Sequence, residues 1–148
     1  MLYCFMGMSC TGKSTISGEM ERRTGAEVFS GKDYYRLAKN TADAARLFQE
    51  KMNAALHGDG TIIYVISETE DLELVPDGAV RVLFTAELPI VKQRFAARMH
   101  GVLPPPVEAM LERKALDWKD VPTHLTIDTG CGKPPSELCE EIMDLQPV

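Results

Sequence analysis

A chain of 148 residues has the length of one domain and enough material to bury a core. Its formal net charge of −6, with 26% of residues charged, argues against a dedicated nucleic-acid binder, because such proteins carry a strong basic excess. No apolar run approaches the roughly 18 residues of a membrane span, so neither nucleic acid nor membrane is an expected partner.

In chain order, LYCFM (Leu2–Met6) is a continuous apolar run stopped by Gly7, the pattern of a strand buried on both faces. It is too short for the core of a signal peptide and lacks a basic leader. From Lys13 the spacing of Ile16 and Met20 predicts an amphipathic helix, with Gly25 as its C-terminal stop. AEVF (Ala26–Phe29) reads as a short second strand. Asn40 or Thr41 caps a predicted helix whose Ala45, Phe48, Met52 and Leu56 line one face, ending near Gly58 and Gly60. TIIYVIS (Thr61–Ser67) carries the strongest strand signal, and VRVLFTA (Val80–Ala86) follows a Pro76-Asp77-Gly78 turn. Leu88, Val91, Phe95 and Met99 recur at helical spacing, with Pro89 tolerated in the first turn. GVLPPP breaks the chain at 101–106, after which Val107 to Trp118 reads as a helix, HLTID (His124–Asp128) as a fifth strand and Ser136 to Leu145 as a closing helix. Strands alternating with helices predict a three-layer α/β domain with a mainly parallel sheet.

Between the first strand and the first helix lies GMSCTGKS, Gly7 to Ser14. Glycines permit backbone angles that other residues resist and let amides approach a phosphate closely. Successive N–H groups from Ser9, Cys10, Thr11 and Gly12 to Thr15 would form an anion nest, reinforced by the helix N-terminus. Lys13 is placed for the β- and γ-phosphates of a nucleoside triphosphate, and the Ser14 hydroxyl for Mg²⁺. A glycine-rich turn with a solvated lysine is the plain alternative. Four fixed positions recur by accident in a chain this long on the order of once in 200. Cys10 reads as a permissive loop position. It and Cys4, Cys131 and Cys139 show no Cys-x-x-Cys spacing, so they read as reduced thiols of a cytoplasmic protein rather than zinc ligands.

The rest of the chain bears on what receives the phosphate. Asn-Lys-x-Asp, which specifies guanine in GTP-binding switches, is absent, and TIIYVIS ends in Ser67-Glu68 instead of Asp. Glu68 is either a group that holds the metal through water or a solvated acid. In FSGKDYYR, Asp33 and Arg36 are three apart and share one face of a helical turn. They suit a carboxylate near the acceptor or metal and a guanidinium gripping an anion, or else form an exposed ion pair of little worth. Arg94 and Arg98 lie one turn apart before the proline-rich break, and Arg113 lies after it with Lys114 beside it. Cations on two helices that close over the site and exclude water would make a lid. His57, His100 and His124 lack ligand spacing, Trp118 is placed to pack its helix on the sheet, and at least one of Tyr34 and Tyr35 is expected to pack.

GMSCTGKS, SGKDYYR, RFAAR, Arg113 and LTIDTG occur in the order found in P-loop kinases of the nucleoside monophosphate kinase type, and over most of its length the chain resembles that family. The resemblance implies a single P-loop kinase domain over 1–148, with a five-stranded sheet, helices on both faces, an acceptor region at about 30–58 and a short helical lid at about 94–113. It implies ATP and Mg²⁺ as cofactors and a small acceptor, most readily a nucleoside monophosphate. By the same resemblance Asp33 and Arg36 bind the acceptor, Arg94 stacks on the donor base, Arg98 and Arg113 act on the phosphoryl group, and Thr129 to Lys133 border the adenine. The Asp-Gly-Phe-Pro-Arg stretch of adenylate kinases and the Thr-Thr-Arg of guanylate kinases are missing. The ending IDTG is shared with gluconate and shikimate kinases. A small-alcohol kinase, in which Asp33 would serve as base, and a nucleotide sensor without turnover therefore stand beside the monophosphate kinase.

Overall fold

LYCFM and IIYVI are apolar at every position, and the computed structural model, which describes residues 1–145, buries both as central strands. The strands are β1 (Leu2–Met6), β2 (Glu27–Ser30), β3 (Ile62–Ile66), β4 (Val80–Thr85) and β5 (Leu125–Asp128). They form a five-stranded sheet in the order β2-β3-β1-β4-β5. Every pairing is parallel, with Tyr3 opposite both Ile63 and Val80.

Alternation along each strand sends side chains to opposite faces, which sorts the core into two layers. Tyr3, Phe5, Ile63, Val65, Val82 and Phe84 pack beneath α1 (Lys13–Thr24) and α5 (Pro135–Met143), against Ile16, Met20, Leu138 and Ile142. Leu2, Cys4, Met6, Tyr64 and Ile66 face α2 (Thr41–Leu56), α3 (Leu88–Arg98) and α4 (Pro105–Asp117), against Phe48, Met52, Val91, Leu111 and Trp118. The expected three-layer α/β architecture is present. Phe48 centres an aromatic cluster with Phe29 at 4.7 Å, Tyr64 at 4.8 Å and Tyr34 at 5.1 Å. Each such ring contributes about 1.5–3 kcal/mol by burial, which fixes α2 and the segment before it to the sheet. Tyr34 is the packing tyrosine, while Tyr35 is 43% exposed.

Several boundaries differ from the sequence reading for local reasons. The Asn40 side chain accepts from the Asp43 amide at 2.8 Å, the expected cap of α2. The fully buried row of α2 is Ala44, Phe48, Met52 and Ala55, and Ala45 and Leu56 sit half-buried at its edge. α4 begins at Pro105, ahead of Val107, because proline fits a first helical turn. Two 3-10 turns stand out, Asp33–Leu37 after β2 and Thr69–Leu74 after β3. The second was not foreseen. Strand order reverses at β1, so the crevice beyond its carboxyl end is where a parallel sheet places a ligand. No helix among the described residues is long and apolar enough to cross a membrane.

Candidate active site

The loop from Gly7 to Ser14 fills that crevice. Gly7 has φ 144° and lies so close to β4 that a Cβ would stand 2.4 Å from the Phe84 carbonyl oxygen. Gly12 has φ 87°, and a Cβ there would meet Thr129 Cγ2 at 2.8 Å. Only glycine satisfies both positions. The loop curls round Lys13, whose Nζ donates to the carbonyls of Gly7 at 2.6 Å and Met8 at 2.7 Å. Thr11 Oγ1 donates to the Met8 carbonyl at 2.8 Å and closes the curl. α1 starts at Lys13 with no side-chain cap, so its first amides remain available to an anion.

Lys13 is buried, and burial pulls its ammonium from 10.5 down to about 8. The Arg98 charge acts in the same sense, and Cys10 and Glu68 act against it. A lowered lysine value means that the fold bears the cost of the buried charge below pH 8, and the cost fades as pH rises towards 10.5. A drop of that size corresponds to about 3 kcal/mol at neutral pH. An anion between the loop amides would relieve it. Cys4, by contrast, is an inert core thiol pushed up to about 12 by burial.

Two cavities flank the loop. The first, about 480 Å³, lies between α3 and the segment joining β5 to α5, with Arg94, Ala97, Lys133 and Pro135 in its walls. Arg94 braces it by donating to the Cys10 carbonyl at 3.0 Å, to Thr129 Oγ1 at 3.0 Å and to the Thr129 carbonyl at 3.1 Å. Thr129 Oγ1 in turn donates to the Thr11 carbonyl at 2.8 Å. The second cavity, about 340 Å³, opens on the other side towards β2 and β3, with Lys13, Ser14, Lys32, Glu68, Glu70 and Asp71 in its walls. Arg98 lines both and stands at their junction.

The structure brings together Gly7, Ser9, Cys10, Thr11, Gly12, Lys13, Ser14, Thr15, Arg94 and Arg98 around the loop. It does not bring Asp33, Arg36 or Arg113 into either cavity. Asp33 Oδ2 accepts from the Ser30 amide at 3.0 Å, so the carboxylate caps its own turn. Arg36 lies over the Phe29 ring at 4.4 Å and 4.0 Å from Glu27. A 3-10 turn eclipses residues three apart, so what parts the two side chains is their different partners, the Ser30 amide for Asp33 and the Phe29 ring for Arg36. Arg113 is exposed on α4, whereas its neighbour Lys114 reaches both oxygens of Glu68 at 2.6 and 2.7 Å.

Lys32 and Asp71 were missed by the sequence reading. Lys32 pairs with the buried Asp71 carboxylate, and that partner raises its pKa. Asp71 sits in an acidic run, SETED, whose ordinary reading is a solvated loop, and nothing in spacing singles it out.

ATP and Mg²⁺ fit this chain's residues on two observations. The glycine cradle, which a Cβ would fill, suits a polyphosphate, and the Ser14 hydroxyl with the Glu68 and Glu70 carboxylates supplies hard oxygen donors on one wall. Among the described residues no group of three or more His, Cys, Asp or Glu is disposed to hold a metal without such a ligand.

No protein-family model matches the sequence, and no curated protein matches it. Solved structures do. A sugar kinase from Janibacter sp. HTCC2649 superposes with a TM-score of 0.62 at 17% identity, covering 96% of this chain and 91% of that one. Shikimate kinase from Aquifex aeolicus vf5 gives 0.55 at 16% identity over 97% and 94% of the two chains. Deoxyadenosine kinase from M. mycoides with bound dATP gives 0.53 at 15% over 97% and 98%. At such identities the likeness establishes the fold alone. The fold is that of the P-loop kinases, without favouring the nucleoside monophosphate branch.

Proposed function

We propose that the chain is an ATP-dependent phosphotransferase acting on a hydroxyl group of a small acceptor. The observation that carries this reading is the lining of the second cavity, where Glu68, Glu70 and Asp71 face the phosphate loop. The cation nearest the acceptor side, Lys32, is already paired with Asp71. A monophosphate brought beside a triphosphate needs several free cations, since like charges in a confined site repel strongly. Arg36, the cation expected to supply that grip, is turned onto Phe29. A neutral or amine-bearing alcohol meets no such penalty. Sugar, shikimate and deoxyadenosine, the compounds that name the structural neighbours, bear hydroxyls and no phosphate, which supports the same reading.

In this reading the triphosphate lies along the loop amides with Lys13 at its β- and γ-phosphates, and its base occupies the first cavity beside Arg94. Mg²⁺, when bound, neutralises charge on the transferring group, and Ser14 is the side chain placed to hold it. Arg98, at the junction of the cavities, stabilises charge as the phosphoryl group passes. Lys114 ties the lid helix α4 to Glu68 at the mouth of the cleft and so limits water access.

The test is ADP release from Mg-ATP against gluconate, shikimate, deoxynucleosides, aminoglycoside-like alcohols and all nucleoside monophosphates, with Lys13→Ala as the control for contaminating kinases. Turnover with a hydroxyl compound, lost in the control, is the expected result. Turnover confined to a monophosphate would overturn the acceptor class, and nucleotide binding without turnover would favour a sensor.

A further inference from the structure

We propose that Asp71, steadied by Lys32, is the carboxylate that engages the acceptor hydroxyl, in the place that sequence reasoning assigns to Asp33. The inference rests on the phosphotransferase reading above and names the acceptor-side catalytic residue of that site.

Asp71 is only 5% exposed, yet it lines the cavity that the phosphate loop closes on its other side. Its Oδ1 accepts from Lys32 Nζ. Its Oδ2 takes no hydrogen bond among the described residues, and none of their fully buried side-chain nitrogens or oxygens lacks a partner. Oδ2 therefore is not sealed in the core; it opens on the cavity. A carboxylate with one oxygen clamped and the other free towards a cavity is oriented before any ligand arrives. The clamp is built from two elements. Lys32 immediately precedes the 3-10 turn after β2, and Asp71 sits in the 3-10 turn after β3, where its amide donates to the Glu68 carbonyl at 3.2 Å.

Asp33 has neither property. It is exposed, it lies outside the cavity walls, and its Oδ2 is occupied by the Ser30 amide. Lys13, Lys32, Arg98, Glu68 and Glu70 are the other charged groups facing the cavity, and of the acids only Asp71 is buried. The other two carboxylates are a group tied to Lys114 and an exposed side chain.

The step follows from this placement. Oδ2 accepts a hydrogen bond from the acceptor hydroxyl, whose oxygen bonds to the γ-phosphorus of ATP. The bond from that phosphorus to the β–γ bridging oxygen breaks, and ADP leaves with the electron pair. The hydroxyl proton passes to the Asp71 carboxylate and then to water.

Asp71→Asn keeps the shape of the side chain and an oxygen for Lys32 while removing the base. ADP release from Mg-ATP, with water and the hydroxyl panel as acceptors, gives kcat; equilibrium titration with ADP gives affinity. The expected result is a fall in kcat of about 100-fold with the ADP Kd changed by no more than about threefold, while Asp33→Asn keeps kcat within about fivefold. Collapse with Asp33→Asn and retention with Asp71→Asn would overturn the assignment. If Asp71→Asn fails to bind ADP, Lys32→Met on the half-exposed partner serves instead. It is expected to lower kcat about tenfold with ADP affinity unchanged, and an unchanged kcat overturns the proposal. ADP binding with no ADP release by the unmodified chain, with water or any acceptor, would overturn the phosphotransferase reading itself and this assignment with it.

Discussion

The two cavities beside the phosphate loop are made of different material. In the proposed reading the nucleotide surface, the loop together with the first cavity, is built largely from backbone: carbonyls of Gly7 and Met8 around Lys13, carbonyls of Cys10 and Thr129 under Arg94, and the uncapped start of α1. The proposed acceptor side is built from side-chain charges in and just before two short 3-10 turns and on α4, with Lys32 against Asp71 and Glu68 against Lys114. A backbone cradle tolerates little change in the residues that shape it, because its geometry is set by allowed φ and by the distance between main chains. A side-chain site can be rewritten by a few substitutions on the same frame, which is how one fold serves many acceptors.

Glycines on the two sides give the sharpest contrast. Gly7→Ala forces a Cβ to within 2.4 Å of the Phe84 carbonyl, where nothing flexible can yield, whereas Gly31 has φ 53° with nothing within 4 Å of its Cβ position. Gly7→Ala is expected to cost about 3 kcal/mol or more in denaturant titrations and Gly31→Ala about 1 kcal/mol. Equal costs would mean that the close approach of the loop to β4 is not a constraint. Lysines give the next contrast. Lys13→Ala is expected to weaken ADP binding about 100-fold or more, and Lys32→Ala by less than about threefold, as read by calorimetry. A strong effect of Lys32 on ADP would merge the two cavities into one nucleotide site.

A pH series separates the sides more gently. Free Lys13 titrates at about 8, and a bound polyphosphate raises that value. Below pH 8 both forms carry the proton, so affinity is flat; above it, binding must take up a proton. Nucleotide Kd is therefore expected to weaken by up to about tenfold per pH unit between pH 8 and 10, accompanied by proton uptake. A flat profile would remove Lys13 burial from the account. The smallest expected effect is that of Arg36→Ala. Lost cation–π contact with Phe29 amounts to about 0.5–1 kcal/mol of stability, with acceptor KM unchanged. A large rise in KM would return Arg36 to the acceptor site.

How much of this was legible follows from the same division. GMSCTGKS announces its structure because phosphate cradles need glycine at fixed positions, and LYCFM and TIIYVIS announce buried strands by unbroken apolar runs. Phe48 was readable as core from its helical spacing and Trp118 as a large aromatic at the end of its helix. SGKDYYR did not reveal the contacts of its pair, because residues three apart share a face in a 3-10 turn as in a helix, and what each side chain then meets is set by closer partners. Here Ser30 holds Asp33 and the Phe29 ring holds Arg36. The Arg113-Lys114 doublet could not be resolved without the rotation of α4, which directs Lys114 at Glu68. Asp71 looked like one more surface acid because its partner, Lys32, is thirty-nine positions away in the sequence and only the fold brings the two together.

The central claim concerns the kind of bond formed. Phosphorus-31 NMR of Mg-ATP incubated with the chain, the hydroxyl panel and the nucleoside monophosphates distinguishes the two products directly. The account predicts a new phosphomonoester resonance with a hydroxyl compound, absent with Lys13→Ala. New anhydride resonances from a monophosphate acceptor, with no ester formed from any alcohol, would contradict it.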